Sequence, residues 1–207
     1  MTPQDFSAEA IELCRTCQLF GERGWCRATS GNFSVRLEEQ HCLITRSGCE
    51  KSQLAIEHLM VCDLQGAAVN STSRPSAETP LHTCLYQLDT EIGAVLHTHS
   101  VTSTVLSRAS GQSVSISGFE MQKAMSGVSS HEESIDIPIF DNDQDMSALA
   151  DRVRDAWQNG KLNSSGYLIR GHGLYAWGRD LAEAQRHTEG LEFLMECAWQ
   201  EIQARTQ

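Results

Sequence analysis

Two histidines separated by one residue, His97-Thr98-His99, close the apolar run Gly93-Ala-Val-Leu96. On a β-strand, residues i and i+2 project to one face, so both imidazoles can reach a single cation. An open catalytic metal site needs a third ligand. His172 is the candidate, because Gly171 and Gly173 on either side let the backbone turn tightly at a strand end and present the ring. The other reading of each histidine is a hydrogen-bonded core residue. Three neutral imidazoles with an open position suit zinc, and nickel, manganese or iron accept the same ligands. Such an ion polarises a carbonyl and stabilises the enediolate formed when an adjacent proton leaves. His41, His58, His82 and His131 lack comparable settings, and His187 reads as a hydrogen-bonded flank of the last helix.

Three short loops carry donors suited to an anion: Thr29-Ser-Gly-Asn-Phe-Ser34, Thr45-Arg-Ser-Gly-Cys-Glu-Lys51 and Ser73-Arg-Pro-Ser76. Glycine allows close backbone approach, while Ser, Thr, Asn, Arg and Lys donate to phosphate-like oxygens. Each loop alone is an ordinary turn; together they can form one positive pocket. Two glutamates stand in notable positions, Glu78 just before Thr79-Pro80 and Glu120 in Gly-Phe-Glu-Met-Gln-Lys123. A carboxylate in an apolar pocket exchanges protons near neutrality.

The elements that must position these groups follow from periodicity. Apolar residues at Phe6, Ala10, Leu13, Cys14, Cys17 and Phe20 predict a first helix after Thr2-Pro3. Alternation over 33–37 and 42–45 predicts a hairpin, and 60–63 with 67–69 predicts another around Gln65-Gly66. A helix follows from Thr79 to about Leu88, then the His97 strand over 94–99, then a helix capped by Ser100. Further strands are expected at 114–117, 135–140, 167–170 and 174–177, with a helical stripe from Met146 to Trp157 between the second and third. The strongest helix has Leu181, Ala184, Thr188, Leu191, Met195, Ala198 and Ile202 at steps of three and four. Hairpins with interspersed helices point to one α/β domain over residues 1–207, with a mixed, largely antiparallel sheet covered by helices.

The chain's 207 residues carry 16 Lys and Arg against 27 Asp and Glu, a net charge of −11. That balance disfavours nucleic acid, which needs a basic footprint, and obliges an anionic ligand to find a local nest of donors. No basic segment precedes an apolar stretch at the N-terminus, and no apolar run approaches a membrane span, so a cytoplasmic protein without membrane contact is expected. The eight cysteines then read as reduced thiols, with Cys14 and Cys17 packed in the first helix.

Five landmarks occur in order: Ser30-Gly-Asn-Phe-Ser-Val-Arg36, Ile44-Thr-Arg-Ser-Gly48, Pro75-Ser-Ala-Glu78, His97-Thr-His99 and Gly171-His-Gly173. Together they resemble the class II aldolase/adducin family over nearly the whole chain. The longer stretches Gly24–Ser34, Gly118–Lys123, Tyr167–Tyr175 and Arg186–Phe193 look most like its dehydratase branch.

The resemblance implies a three-layer α/β/α fold with a central, mainly antiparallel sheet, assembled as a homotetramer with sites near subunit contacts. It implies Zn2+ on His97, His99 and His172, and a small phosphorylated ketose as substrate. Phosphate would be held around Asn32, Ser47, Gly48 and Ser76, with Lys51 as helper. In the aldolase branch Glu78 is near the metal and is the acid/base; in the dehydratase branch that role matches Glu120. Ala77 stands where aldolases often have a second serine, which removes one hydroxyl from the expected anion site. The expected activity is loss of water from the ketose phosphate. The alternatives are carbon–carbon cleavage with Glu78 as acid/base, or a binding module without catalysis, against which the three retained histidines argue. Trp25, Phe119, Met121 and Met125 offer an apolar wall for the far end of the substrate, or plain core.

Overall fold

The computed structural model describes residues 1–205, and all eight strands among them join one sheet in the order β3-β2-β1-β4-β8-β7-β6-β5. The strands are β1 (Asn32–Arg36), β2 (His41–Thr45), β3 (Leu59–Asp63), β4 (Ala94–Thr98), β5 (Ser113–Ile116), β6 (Ile135–Phe140), β7 (Gly166–Ile169) and β8 (Gly173–Gly178). Every neighbouring pair is antiparallel except β6 and β7, which run parallel. The helices are α1 (Ser7–Glu22), α2 (Thr79–Leu88), α3 (Val101–Ala109), α4 (Met146–Gln158) and α5 (Leu181–Arg205).

Alternation along the strands sends side chains to two faces, and each face has its own cover. On one, Ile44, Cys62, Val95, Tyr167 and Trp177 pack under Leu81 and Leu85 of α2 and Leu149 and Val153 of α4. On the other, Phe33, Leu43, Val61 and Leu96 pack against Leu13, Cys17 and Phe20 of α1 and Ala184 of α5. Beyond them Ile137, Leu168 and Leu174 meet Leu106 of α3 and Leu191, Leu194 and Met195 of α5. The result is the expected three-layer α/β/α arrangement. Each large apolar side chain buried this way contributes about 1.5–3 kcal/mol over leaving it in water.

Local chemistry sets the element ends. Pro80 sits in the first turn of α2, where no N–H is needed, and Glu78 is its N-cap. Ser100 caps α3 by accepting the Ser103 N–H at 3.0 Å, and Asp145 caps α4 through the N–H groups of Ser147 and Ala148. The first helix differs from expectation at its start: Pro3–Phe6 form a 3-10 turn before α1 begins at Ser7. The second expected hairpin shrinks to a single bridge between Cys62 and Ala68, because its return arm is only a few residues long. All eight cysteines are free, and Cys14 and Cys17 lie in the α1 core as expected.

Candidate metal centre

The register of the sheet brings the site together. β4 lies between β1 and β8, with His97 opposite Asn32 on one side and Tyr175 on the other. Directly paired residues share a face, so these three side chains point to the α2 side. There Glu78, at the start of α2, reaches over them. The Oε1 of Glu78 stands 2.9 Å from His172 Nε2, and its Oε2 stands 3.3 Å from His97 Nε2. His97 Nε2 is 2.8 Å from His99 Nε2 and 3.4 Å from His172 Nε2. The ligand atoms of Glu78, His97, His99 and His172 all lie within 4.8 Å of one another.

Two glycines make the third histidine's approach possible. Gly171 adopts φ +67, a left-handed turn that Cβ disfavours. A Cβ on Gly173 would stand 2.0 Å from the Thr98 carbonyl oxygen, so only glycine lets β8 start this close to the end of β4. The turn is pinned to α3: Gly171 N–H donates to Ser107 Oγ at 2.9 Å, and Thr104 Oγ donates to the His172 carbonyl at 2.9 Å. Arg170 adds donations to the Ser107 and Ser110 carbonyls.

Protonation follows from partners. His97 Nδ1 faces the Leu174 carbonyl at 2.8 Å, which can only accept, so this nitrogen carries the hydrogen and Nε2 presents its lone pair to the cluster. Burial holds His97 well below the usual imidazole range. It also lowers His99 to about 4, with His172 adding to the effect. Burial alone would push Glu78 up, but the facing histidines and the Asn32 amide hold it well below the usual carboxylate range, so it is ionised. The His97 lone pair and the Glu78 carboxylate thus converge with two further ring nitrogens, an arrangement that a cation among them would satisfy. Ligands about 2.0–2.1 Å from a tetrahedral ion stand about 3.3 Å apart, close to the separations seen here. The donor set therefore fits a divalent cation, with Glu78 joining the three histidines foreseen from sequence.

Behind Glu78 runs a buried relay that the sequence did not reveal. Asn32 Nδ2 donates to Glu78 Oε2, and His82 Nε2 donates to Asn32 Oδ1. His82 Nδ1 then accepts from Ser34 Oγ at 2.8 Å, which in turn accepts from Tyr86 OH at 2.7 Å. This direction requires a neutral His82, and burial lowers its pKa to about 4. Tyr175 OH donates to Glu78 at 3.1 Å while its ring stacks on His97 at 4.0 Å. His82 thus has a setting after all, one made by tertiary contacts rather than by neighbours in sequence.

Two hollows adjoin the cluster. One is small, about 180 Å³, and is lined by Asn32, Ser47, Gly48, Lys51, Ser76 and Glu78 together with Arg46 and His99. All the residues expected around the phosphate therefore meet in one place, with Glu78 beside them. Lys51 is 1% exposed, donating from Nζ to the carbonyls of Cys49 at 2.7 Å and Thr29 at 3.0 Å. Burial lowers its pKa, and its third N–H remains for a ligand. Its grip on Thr29 steadies two consecutive left-handed residues, Ala28 (φ 52) and Thr29 (φ 65). The second hollow, about 590 Å³, opens from Glu78, His99 and His172 toward Arg27, Asn142, Gln144 and Met146.

Glu120 lines neither hollow. It is 70% exposed on a 3-10 turn (Glu120–Ala124), paired with Lys123 at 2.7 Å and His131 at 3.1 Å. Of the expected apolar wall, Trp25 accepts the His99 N–H at 2.7 Å through its carbonyl, but its ring and Met121 line a groove along α5 with Phe193, while Met125 is core and Phe119 packs against that core. His187 is the hydrogen-bonded flank foreseen, donating from Nδ1 to the Trp177 carbonyl at 2.6 Å and accepting the Ser126 N–H at 3.2 Å.

Comparison with known proteins places these features in a group. A family profile described as Class II Aldolase and Adducin N-terminal domain matches residues 11–199. The chain is 53% identical to a methylthioribulose-1-phosphate dehydratase of Marinobacter nauticus over 202 residues, 97% of each chain. It is 52% identical to the protein of that name from Yersinia pestis over 189 residues, 91% of this chain and 85% of the other. Among solved structures, an L-fuculose-1-phosphate aldolase from Thermus thermophilus superposes with a TM-score of 0.76 at 23% identity, covering 99% of both chains. YgbL from Escherichia coli gives 0.77 at 24% identity, covering 92% of this chain and 87% of that one. These two likenesses concern the fold.

Proposed function

The chain belongs to the class II aldolase and adducin family, and we propose that within it the protein is a hydro-lyase that dehydrates 5-methylthioribulose 1-phosphate to 2,3-diketo-5-methylthiopentyl 1-phosphate in methionine salvage. The observation that carries this reading is identity above one half, across nine-tenths or more of the chain, to proteins named for that activity. The geometry supports it with four donor side chains placed to hold a metal, between a small donor-rich hollow and a larger one.

The metal we assign is zinc, which suits the three imidazoles with Glu78 as a donor that substrate oxygens can displace, and which needs no redox partner. When bound, it supplies Lewis-acid polarisation to the ketone and hydroxyl oxygens beside the reacting carbon. Lys51, Ser47, Gly48 and Ser76 take the phosphate, so the ketone end lies at the cluster and the methylthio end points toward Met146 and Gln144. Asn32 lines the same hollow, but its amide is largely committed to Glu78 and His82. Glu78 stays ionised as a donor to the cluster. The C3 proton is removed first, the C4 hydroxyl then leaves as water, and the resulting enol gives up its C3 hydroxyl proton as it gains one at C4, becoming the diketone. Glu120 is the acid/base for these transfers.

Because Glu120 is exposed and outside both hollows beside the cluster, we assign it to the metal site of a neighbouring copy. The groove with exposed Met121 and Phe193 beside it is the face such a copy would cover. A homotetramer, as in the family resemblance, satisfies both needs, and the eight unpaired thiols suit the cytoplasm. Glu120→Gln should lower turnover on the order of 10³-fold while leaving metal content unchanged. Oligomers mixed from Glu120→Gln and His97→Ala chains should regain part of the activity, since each contributes what the other lacks. Wild-type turnover by Glu120→Gln would remove this residue from the chemistry.

A further inference from the structure

The alternation that sends His97 and His99 to the metal face sends Thr98 and Ser100 to the other, where α5 crosses. On α5, among Leu191, Leu194 and Met195, stands a carboxylate: Glu192, 3% exposed. Its Oε1 accepts the Thr98 hydroxyl at 2.5 Å and its Oε2 accepts the Ser100 hydroxyl at 2.5 Å. The two bonds bracket His99. An unpaired carboxylate in such a place costs several kcal/mol, and a leucine would pack there without that cost. Burial still pushes Glu192 up to about 7 with both hydroxyls attached.

The contact reaches further. Ser100 Oγ also accepts the Ser103 N–H and so starts α3, whose Thr104 and Ser107 hold the His172 turn. Glu192 therefore has a path to all three imidazoles: through Thr98 and Ser100 to the backbone of His97 and His99, and through α3 to His172.

We propose that Glu192 is a positioning residue for the metal centre, holding the strand end from behind so that the three histidines keep their ligating geometry. This rests on reading the cluster as a divalent-cation site, and the test separates the two. Zn2+ affinity is measured by chelator competition, and the visible spectrum of the Co2+-substituted protein reports coordination. Glu192→Leu should weaken Zn2+ binding by about 10- to 100-fold and shift the Co2+ bands. Glu192→Gln should remain close to the wild type, since one hydroxyl can donate to its carbonyl and the other accept from its amide. Should Glu192→Leu fail to fold, Thr98→Val removes one of the two bonds isosterically, and a smaller loss of affinity is expected. Wild-type affinity and spectrum in Glu192→Leu or Thr98→Val would overturn the proposal, as would Glu192→Gln being as impaired as Glu192→Leu. A wild-type protein that binds neither ion would instead overturn the metal-centre reading itself.

Discussion

His82 shows how one buried side chain ties protonation, stability and the site together. Its imidazole is fully enclosed, and its pKa falls from 6.5 to about 4. As pH drops below about 6.5, the unfolded chain takes up the proton while the folded one does not, so this contribution to stability is whole above that pH and is lost on the way down to about 4. The full difference amounts to about 3 kcal/mol. His82→Gln should flatten the dependence of unfolding free energy on pH over that window, measured by urea denaturation at pH 7 and pH 5; parallel dependences in the two proteins would contradict the assignment. The same residue marks a limit of reading side chains from sequence. His97 and His99 are legible because strand alternation is a local rule. His82 and Tyr175 acquire partners only when α2 and β8 are brought against β1 and β4. Glu192 is hidden for a related reason: a lone carboxylate among leucines on a helix looks like a surface position until α5 is seen lying over Thr98 and Ser100.

Among the elements, the close meeting of β4 and β8 is what gathers ligands from distant parts of the chain. Gly173→Ala would place a methyl 2.0 Å from the Thr98 carbonyl oxygen, and no flexible side chain is there to yield. It should cost about 2 kcal/mol of stability and weaken Zn2+ binding, because His172 must move with the strand. Gly171→Ala faces only the Arg108 side chain and a left-handed φ, and should cost about 1 kcal/mol. Denaturation and chelator competition on the two variants would show it; equal effects would mean that close packing at Gly173 is not what sets the site. Most element positions follow from periodicity and caps, as with α2 over Thr79–Leu88 and β6 over Ile135–Phe140. The parallel pairing of β6 with β7 does not. Alternation within a strand carries no information on the direction of its neighbour, and here α4 spans the crossover.

Across the whole molecule, a net charge of −11 has to coexist with an anionic substrate. In the proposed reading the small hollow resolves this locally, since it gathers Arg46, Lys51 and the Ser47-Gly48 turn beside Glu78 and His99 of the candidate metal site. That arrangement serves dehydration and carbon–carbon cleavage equally well, because both begin at a ketone beside a phosphate. What separates them is which bond breaks next and, in the reading proposed above, which glutamate would do the work: Glu120 for loss of the C4 hydroxyl, Glu78 for cleavage of C3–C4. The most direct measurement is mass spectrometry of the products after zinc-loaded protein is incubated with 5-methylthioribulose 1-phosphate. Loss of one water with the carbon chain intact is the expected result. Two carbonyl fragments, or unchanged substrate with zinc bound, would contradict it.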